Sequence, residues 1–490
     1  MNLTLSLAIN GGTGTGKKRK VRDSVIDDDD GGGGDRSRVM RLLQARERMM
    51  ARLELDDSRL GPDDAGGGGL RLMHLLLSSV AAAEAGDAHA ATAALHEVYR
   101  RASFGAGDPA PRVAAYLADA LASRLLRRSP AAAASPSPPP PPARWEQFLA
   151  YTMFYQASPL HQFAHFAANQ AIVEAFEAGG RRRLHVVDFD ASYGFQWPSL
   201  IQSLSDAAAA AASTSTSTTG GDGDAKEPVS LRITGLGTSA DELRQTEARL
   251  RRFASGCPNV RFEFEGVVDN GPDGGLHEQR IKTDDDDGDA TVVVNMVFPA
   301  AQSSRTSTAE AFLARIGSLN PSLVFLVERG GGGGGNATSR GRSRLLPPFT
   351  ASLRYFAAVF DSLHECLPAD SAERLAIERN YLGVEIGNAM ASLEDYSHGG
   401  DDHMPAERPC SSGGWKEMME SAGFEGLKLS SRTVSQAKLL LKMKGGSGGG
   451  FRVIEDDGGR AMSLGWRDSA LITTTAWRRR RRRSISKMCS

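Results

Sequence analysis

Two acids close an apolar run in "LHVVDFDASYGFQW", residues 184–197: Asp188 and Asp190 follow the run, and the chain then turns through Gly194. A buried strand that ends in carboxylates and leads into a helix is where doubly wound folds hold nucleotide cofactors. S-adenosylmethionine is one such cofactor, and it makes two demands on the chain. The turn should be glycine-rich so that backbone can approach the ligand, and the next strand should end in an acid for the ribose hydroxyls. Here Ala191, Ser192 and Tyr193 precede Gly194, and the next strand ends "ITGLGTS", with Asp241 the first acid. Both demands fail. Asp188 and Asp190 then read as acceptors for loop amides, with Pro198 in the first turn of the following helix. No catalytic residue, cofactor or metal is assigned.

Other stretches carry chemistry at their face value. "NGGTGTGKK", 10–18, spaces Gly11, Gly16 and Lys17 as a phosphate-binding loop does, but Lys18 stands where a Ser or Thr must reach magnesium. Charge and glycine follow it, not the helix whose N-terminus would hold phosphate. The same cations make a better address: Lys17, Lys18, Arg19, Lys20 and Arg22 give five basic residues in six, the cluster that nuclear-import receptors read. Near the other end Arg478, Arg479, Arg480, Arg481, Arg482 and Arg483 follow Trp477. Adjacent guanidinia repel one another, so this run is a candidate for sequence-independent nucleic-acid contact or a second import element. Ser484 and Ser486 beside it are candidate phosphorylation sites.

His185 lies within the strand and reads as a packed side chain with one nitrogen satisfied. His398 and His403 flank a polar "GGDD" and read as loop residues rather than metal ligands. Cys257, Cys366, Cys410 and Cys489 are scattered without a CxxC, which argues against a disulfide framework or a zinc site. No GxSxG or HExxH occurs. The net charge of −1 over 490 residues excludes a global basic field. "MNLTLSLAIN" lacks the basic region of a leader, and no window reaches the roughly 20 apolar residues of a membrane span, so a soluble intracellular protein is expected.

The elements that must position these residues come from periodicity. Leu72, Leu75, Leu76, Val80 and Ala83 share a helical face, and Val113, Leu117, Leu121 and Leu125 form an i, i+4 stripe. A third helix carries "FAHFAANQAIVEAF". From Leu184 on, apolar runs alternate with helical ones: 184–189, 229–236, 260–268, 291–298 and 322–328. Strands apolar on both faces, alternating with helices, predict a parallel sheet covered on both sides. The final "FRVIEDDGGRAMSLGWRDSALITTTAW" predicts an antiparallel edge. Asp-, Gly-, Pro- and Ser/Thr-rich tracts at 27–34, 66–69, 129–143, 207–224, 283–289 and 330–335 read as disordered linkers and loop expansions. A charged stretch from Arg36 to Leu55 reads as helical between two of them.

The order of segments resembles the GRAS family of plant transcriptional regulators. "LHVVDFD" with "GFQWPSLIQSL" is similar to the family's VHIID motif, with Val186, Val187, Asp188, Phe189 and Asp190 in its named positions. Leu70–Arg128 resembles the first leucine-rich region, Leu231–Val268 the VHIID flank and second leucine-rich region, and "SLVFLVE" with residues 349–391 the PFYRE region. "WKEMMESAGFEGLKLSS", "QAKLLLKM" and "LGWRDSALITTTAW" resemble the closing SAW region, which carries Trp415, Trp466 and Trp477. Glycines replace the acidic loop after Glu328, and Thr475 stands for the Ser of the closing tripeptide. "LRLMHLLL" and "LIQSLSD" resemble the branch that serves root-symbiosis signalling.

The resemblance implies a methyltransferase-like α/β core, doubly wound and mostly parallel, under a helical cap. It divides the chain into an arm over 1–69, a domain over 70–477 (cap 70–180, core 181–477) and a basic tail over 478–490. It implies nuclear regulation of transcription without catalysis. Partners would be other family members, in homo- or heterodimers, and DNA-binding transcription factors, with direct DNA contact in some members. Leu72, Leu76, Val113, Leu117, Leu121 and Leu125 would serve pairing or the core. Two rival readings are a sequence-specific DNA-binding factor and an S-adenosylmethionine-dependent methyltransferase.

Overall fold

The computed structural model of the chain describes residues 40–49, 68–105, 107–128, 141–191, 193–215, 228–268, 290–298, 306–330, 345–393, 415–444 and 449–480. Its centre is one mixed sheet. The strands β1 (Arg183–Asp188), β2 (Val229–Gly237), β3 (Val260–Val268), β4 (Ala290–Val297) and β5 (Leu323–Arg329) lie parallel in the order β3-β2-β1-β4-β5. Beyond β5 come β9 (Ser469–Arg479), β8 (Ala461–Trp466) and β7 (Phe451–Asp456), all antiparallel, while β6 (Phe424–Leu427) pairs with the far end of β9. β4, "ATVVVNMV", is buried along its whole length, as a central strand sandwiched by helices must be. The expected doubly wound sheet with an antiparallel edge is the observed one.

In chain order the helices are α1 (40–49), α2 (Gly68–Glu84), α3 (Ala88–Arg101), α4 (Pro109–Arg128), α5 (Arg144–Ala157), α6 (Pro159–Gly179), α7 (Trp197–Ser215) and α8 (Ala240–Ala254). They continue with α9 (Thr306–Ser318), α10 (Leu346–Cys366), α11 (Ala372–Ile377), α12 (Gly383–Ser392), α13 (Trp415–Ser421) and α14 (Ser431–Lys444). A π-helical turn, Glu378–Leu382, joins α11 to α12. Local chemistry fixes several ends. Ser158 caps α6 by accepting from the Leu160 amide, Pro159 takes the position where no N–H is needed, and Gly180 closes the helix at φ 62°. In α8, Ser239 caps the N-terminus, with Asp241 and Glu242 in the first turn and Arg251 and Arg252 in the last, both favourable to the helix dipole.

Several boundaries differ from the sequence reading. α2 begins at Gly68 and α7 runs to Ser215, so tracts read as disordered at 66–69 and 207–224 are partly helical. Within the arm drawn over 1–69, the expected helix covers 40–49, and its Leu42, Ala45 and Met49 are buried in the core, with Arg46 paired to Asp119 of α4. The cap also draws on the second half of the chain, since α10 and α12 pack against α4 and α11 packs against α5. The strand that reaches Trp477 does not stop there: β9 runs to Arg479, and Arg480 N–H still donates to Gly423 C=O at 2.9 Å.

Candidate functional site

The strand order reverses between β1 and β4, so the helices after these strands depart to opposite faces and leave a crevice at their C-terminal ends. Register puts Asp188 there, level with Gly235 of β2 and Asn295 of β4. The carboxylate is 2% exposed. The Trp197 indole N–H donates to its Oδ2 at 3.1 Å, and Asn295 Nδ2 donates to its Oδ1 at 3.0 Å. Asn295 and Gln196 exchange amide hydrogen bonds at 3.1 and 3.3 Å. Gln196 Nε2 also donates to Asn169 Oδ1 at 3.1 Å, and Asn169 Nδ2 returns to the Gln196 carbonyl at 2.9 Å. One buried network thus binds β1, β4, α6 and the start of α7. Every donor to Asp188 is neutral, so burial dominates and pushes its acid up to about 7. The expected amide acceptor role is minor: the Asp190 N–H stands 3.4 Å from Asp188 Oδ1, while side chains from other elements make the shorter bonds.

The turn after β1 folds onto the end of β2. Ala191 N–H donates to Leu236 C=O at 3.0 Å, and the buried Ala191 side chain fills the space over Gly235. A Cβ added at Gly235 would lie 2.5 Å from that of Ala191 and 2.9 Å from the Phe264 ring. Gly194 has φ 67°, and a Cβ there would lie 2.7 Å from Thr246 Cγ2, so the turn needs glycine to close against α8. These residues do not fit S-adenosylmethionine. The space beside β2 is occupied by protein, β2 ends Leu236-Gly237 without an acid, and Asp188 is already bonded on both oxygens.

What stays open is a cleft of about 220 Å³ between cap and core. Tyr151 of α5 stacks on Tyr193 at 4.5 Å and meets Phe195 and Tyr381 edge-on at 5.2 and 5.4 Å. His161 and His165 of α6 stand on its floor, 5% and 8% exposed. Arg144 pairs with Glu242 at 2.9 Å, and Arg329 pairs with Glu385 and lies over Phe298.

The other sequence candidates are dispersed. In the cap stripe Leu72, Leu76, Val113, Leu117 and Leu121 are buried and Leu125 is partly buried against the same core, so the stripe is packing rather than a free surface. Val186 and Val187 are buried in β1, Phe189 meets Phe312 edge-on at 4.9 Å, and Asp190 is exposed at the cleft. The three tryptophans do not converge. Trp415 lies near Phe312, and its backbone interacts with Glu328, whose acid burial pushes up to about 7. Trp466 donates to Asp361 at 2.7 Å, and Trp477 donates to Thr475 Oγ1 at 2.9 Å from within a second core cluster. Arg478 and Arg479 are strand residues, not tail: Arg478 Nε donates to Glu425 at 2.6 Å, and Arg479 Nη1 donates to Gly317 C=O at 2.7 Å. His185 Nε2 bonds Thr234 Oγ1 at 2.9 Å, as a packed histidine would. Lys17–Arg22, Arg481–Arg483, Ser484, Ser486, His398, His403, Cys410 and Cys489 lie outside the described residues. Among the described residues no cluster of three His, Cys, Asp or Glu could hold a metal, and no helix is long and apolar enough to cross a membrane.

Sequence reasoning missed Asn169, Gln196, Asn295, His161 and His165. One signal was available: Asn295 is the lone polar amide in "TVVVNMVF", and Asn169 with Gln170 interrupts an apolar helix face. A polar group in such a run needs a partner when it is buried.

Residues 72–478 match the GRAS domain family. Scarecrow-like protein 28 of Arabidopsis thaliana is 32% identical over 383 residues, covering 75% of this chain and 52% of that protein. DELLA protein GAIP of Cucurbita maxima is 33% identical over 418 residues, 84% of this chain and 63% of that one. Protein SCARECROW of Ipomoea nil is 34% identical over 414 residues, 84% of this chain and 46% of that one. The chain thus matches less than two thirds of the length of each of these relatives. The crystal structure of SCL7 in Oryza sativa superposes with a TM-score of 0.60 at 30% identity, covering 83% of this chain and 99% of that one.

Proposed function

The chain belongs to the GRAS domain family of plant transcriptional regulators, and from that premise we propose that it regulates transcription in the nucleus by binding other proteins, without catalysis. The carrying observation is Asp188. In a nucleotide-binding core an acid near this place would be left for the ligand; here Trp197 and Asn295 occupy both of its oxygens. A crevice fastened in this way supports a scaffold better than a turning-over enzyme.

Partners in this reading are DNA-binding transcription factors and other members of the family. The leucine stripe is buried, so a partner must use other apolar side chains. Among the described residues these include Trp145 and Leu149, one turn apart on α5, and Leu439 and Met443, one turn apart on α14. Arg478 and Arg479 are committed to the sheet edge, which favours recruitment by partners over direct DNA contact through the arginine run. Import is assigned to Lys17–Arg22.

Capture of the full chain from plant nuclei tests the central claim. DNA-binding factors are expected in the recovered set, and their absence, with a footprint on naked DNA from the chain alone, overturns it. Calorimetry with S-adenosylmethionine should show no binding; micromolar binding abolished by Asp188→Ala would overturn the reading of the crevice. Deleting residues 17–22 should abolish nuclear accumulation.

A further inference from the structure

We propose that the outward face of α14 docks an acidic amphipathic helix of a partner protein. The proposal rests on the reading of the chain as a protein-binding scaffold and names the chemistry that one of its surfaces takes.

α14 has two faces with different uses. Thr433, Val434, Ala437 and Leu440 are buried where the helix packs on α6 and β7. The opposite face leaves Leu439 53% and Met443 71% exposed, one turn apart on the same side. Apolar side chains at that spacing offer a second helix two anchors.

The surroundings of this pair set the charge of its partner. The helix, "SRTVSQAKLLLKMK", carries four cations and no acid. Arg432 is paired with Glu177 and Lys438 with Glu455. Lys442 has no ion pair among the described residues, and Lys444 donates to the neutral Gln156 carbonyl at 3.0 Å. Two cations without a counter-charge therefore flank the exposed methionine. Lysines in a last turn favour the helix dipole, which accounts for the charges but not for the apolar pair set among them. A helix with carboxylates beside its own apolar anchors meets both demands at once.

Other occupants fit less well. A second copy of this chain would set one lysine-bearing face against another, like charge on like. A nucleic-acid backbone would neutralise the lysines but leave Leu439 and Met443 against phosphate. A lipid surface needs a continuous apolar face, and the broader apolar face of α14 is already spent in the core.

Fluorescence anisotropy of the full chain with a labelled peptide tests the assignment. The probe is a helix of about 18 residues, long enough to fold, with Leu at helical spacing and Glu beside each Leu. Binding is expected, weakened about tenfold or more by Leu439→Ser, by Met443→Ser, or by exchanging every Glu of the peptide for Gln. Both positions are exposed, so the thermal midpoints of the two variants should match wild type. Carbodiimide coupling, which joins a carboxylate to an ammonium as an amide, should link the peptide to Lys442 or Lys444, a readout that needs no variant. No binding overturns the proposal. So does binding unchanged by both substitutions, which would place the peptide on the basic runs at 17–22 and 478–483. A dimer of the chain that Met443→Ser dissociates in sedimentation overturns it in favour of a second copy. Binding to phosphatidylserine vesicles that Met443→Ser abolishes overturns it in favour of a lipid surface. If the peptide fails while the wild-type chain still captures DNA-binding factors from nuclei, this assignment falls and the scaffold reading stands.

Discussion

Glu378 in the cap and Asp188 at the end of β1 are both buried carboxylates, and the chain neutralises them in different ways. Glu378 is 0% exposed and sits between two arginines: Arg112 Nε and Arg374 Nη1 each donate to it at 3.0 Å. Arg374 also donates to the Gly105 carbonyl at 2.6 Å, so the triad ties α4, α11 and the loop between α3 and α4 together. Among the described residues the donors to Asp188 are all neutral: Trp197, Asn295 and, more distantly, the Asp190 N–H. Burial raises both acids, but at Glu378 two guanidinia oppose the rise, whereas at Asp188 only neutral donors do. The π-helical turn that begins at Glu378 also carries Tyr381 to the cleft, so the buried triad and one wall of the cleft share a single turn of chain.

The comparison can be broken most directly at Glu378. Glu378→Gln removes the charge between two buried guanidinia and should cost about 3–5 kcal/mol, read as a shift in the denaturant midpoint. A loss under about 1 kcal/mol would mean that the triad is no fastening. Asp188→Ala strands two donors and should cost about 1–3 kcal/mol, with Asp188→Asn milder because it keeps one acceptor.

Protonation sharpens the contrast. The Asp188 acid is raised to about 7 in the folded chain. Below the ordinary carboxylate value of about 4, both folded and unfolded chains hold the proton, and its stabilising effect is fully present. As pH rises through 4 toward 7 the unfolded chain ionises first, so that stability is lost, and above about 7 it stays level. Wild type minus Asp188→Asn should therefore fall between these limits, and a flat difference would contradict the raised acid. The smallest effect belongs to the surface: Arg478→Ala breaks an exposed pair with Glu425 and should cost at most about 1 kcal/mol by thermal unfolding.

The sequence made the frame legible through local signals. "LHVVDF" and "TVVVNMVF" read as doubly buried strands because their β-branched runs have no polar face, and Pro198 marked the first turn of the helix after β1. It did not disclose the site's wiring. Asp188 meets Asn295 across 107 positions, and Arg112 meets Glu378 across 266, pairings that depend on register and helix placement rather than on any nearby residue. The same gap hid the burial of Leu42, Ala45 and Met49, on a helix that the sequence did predict, and the ordering of Arg478 and Arg479 at the sheet edge.

By itself the sequence determined the period of each element, the failure of the β1 turn to match a glycine-rich cofactor loop, and the family to which the motif order points. Only the tertiary structure decided that the leucine stripe is core, that Asp188 is bonded from two other elements, and that Tyr151, Tyr193 and Tyr381 meet at one cleft. The physical reason is range. Backbone propensity and hydrophobic period act over a few residues, whereas burial and hydrogen-bond satisfaction depend on which distant segment the fold brings alongside.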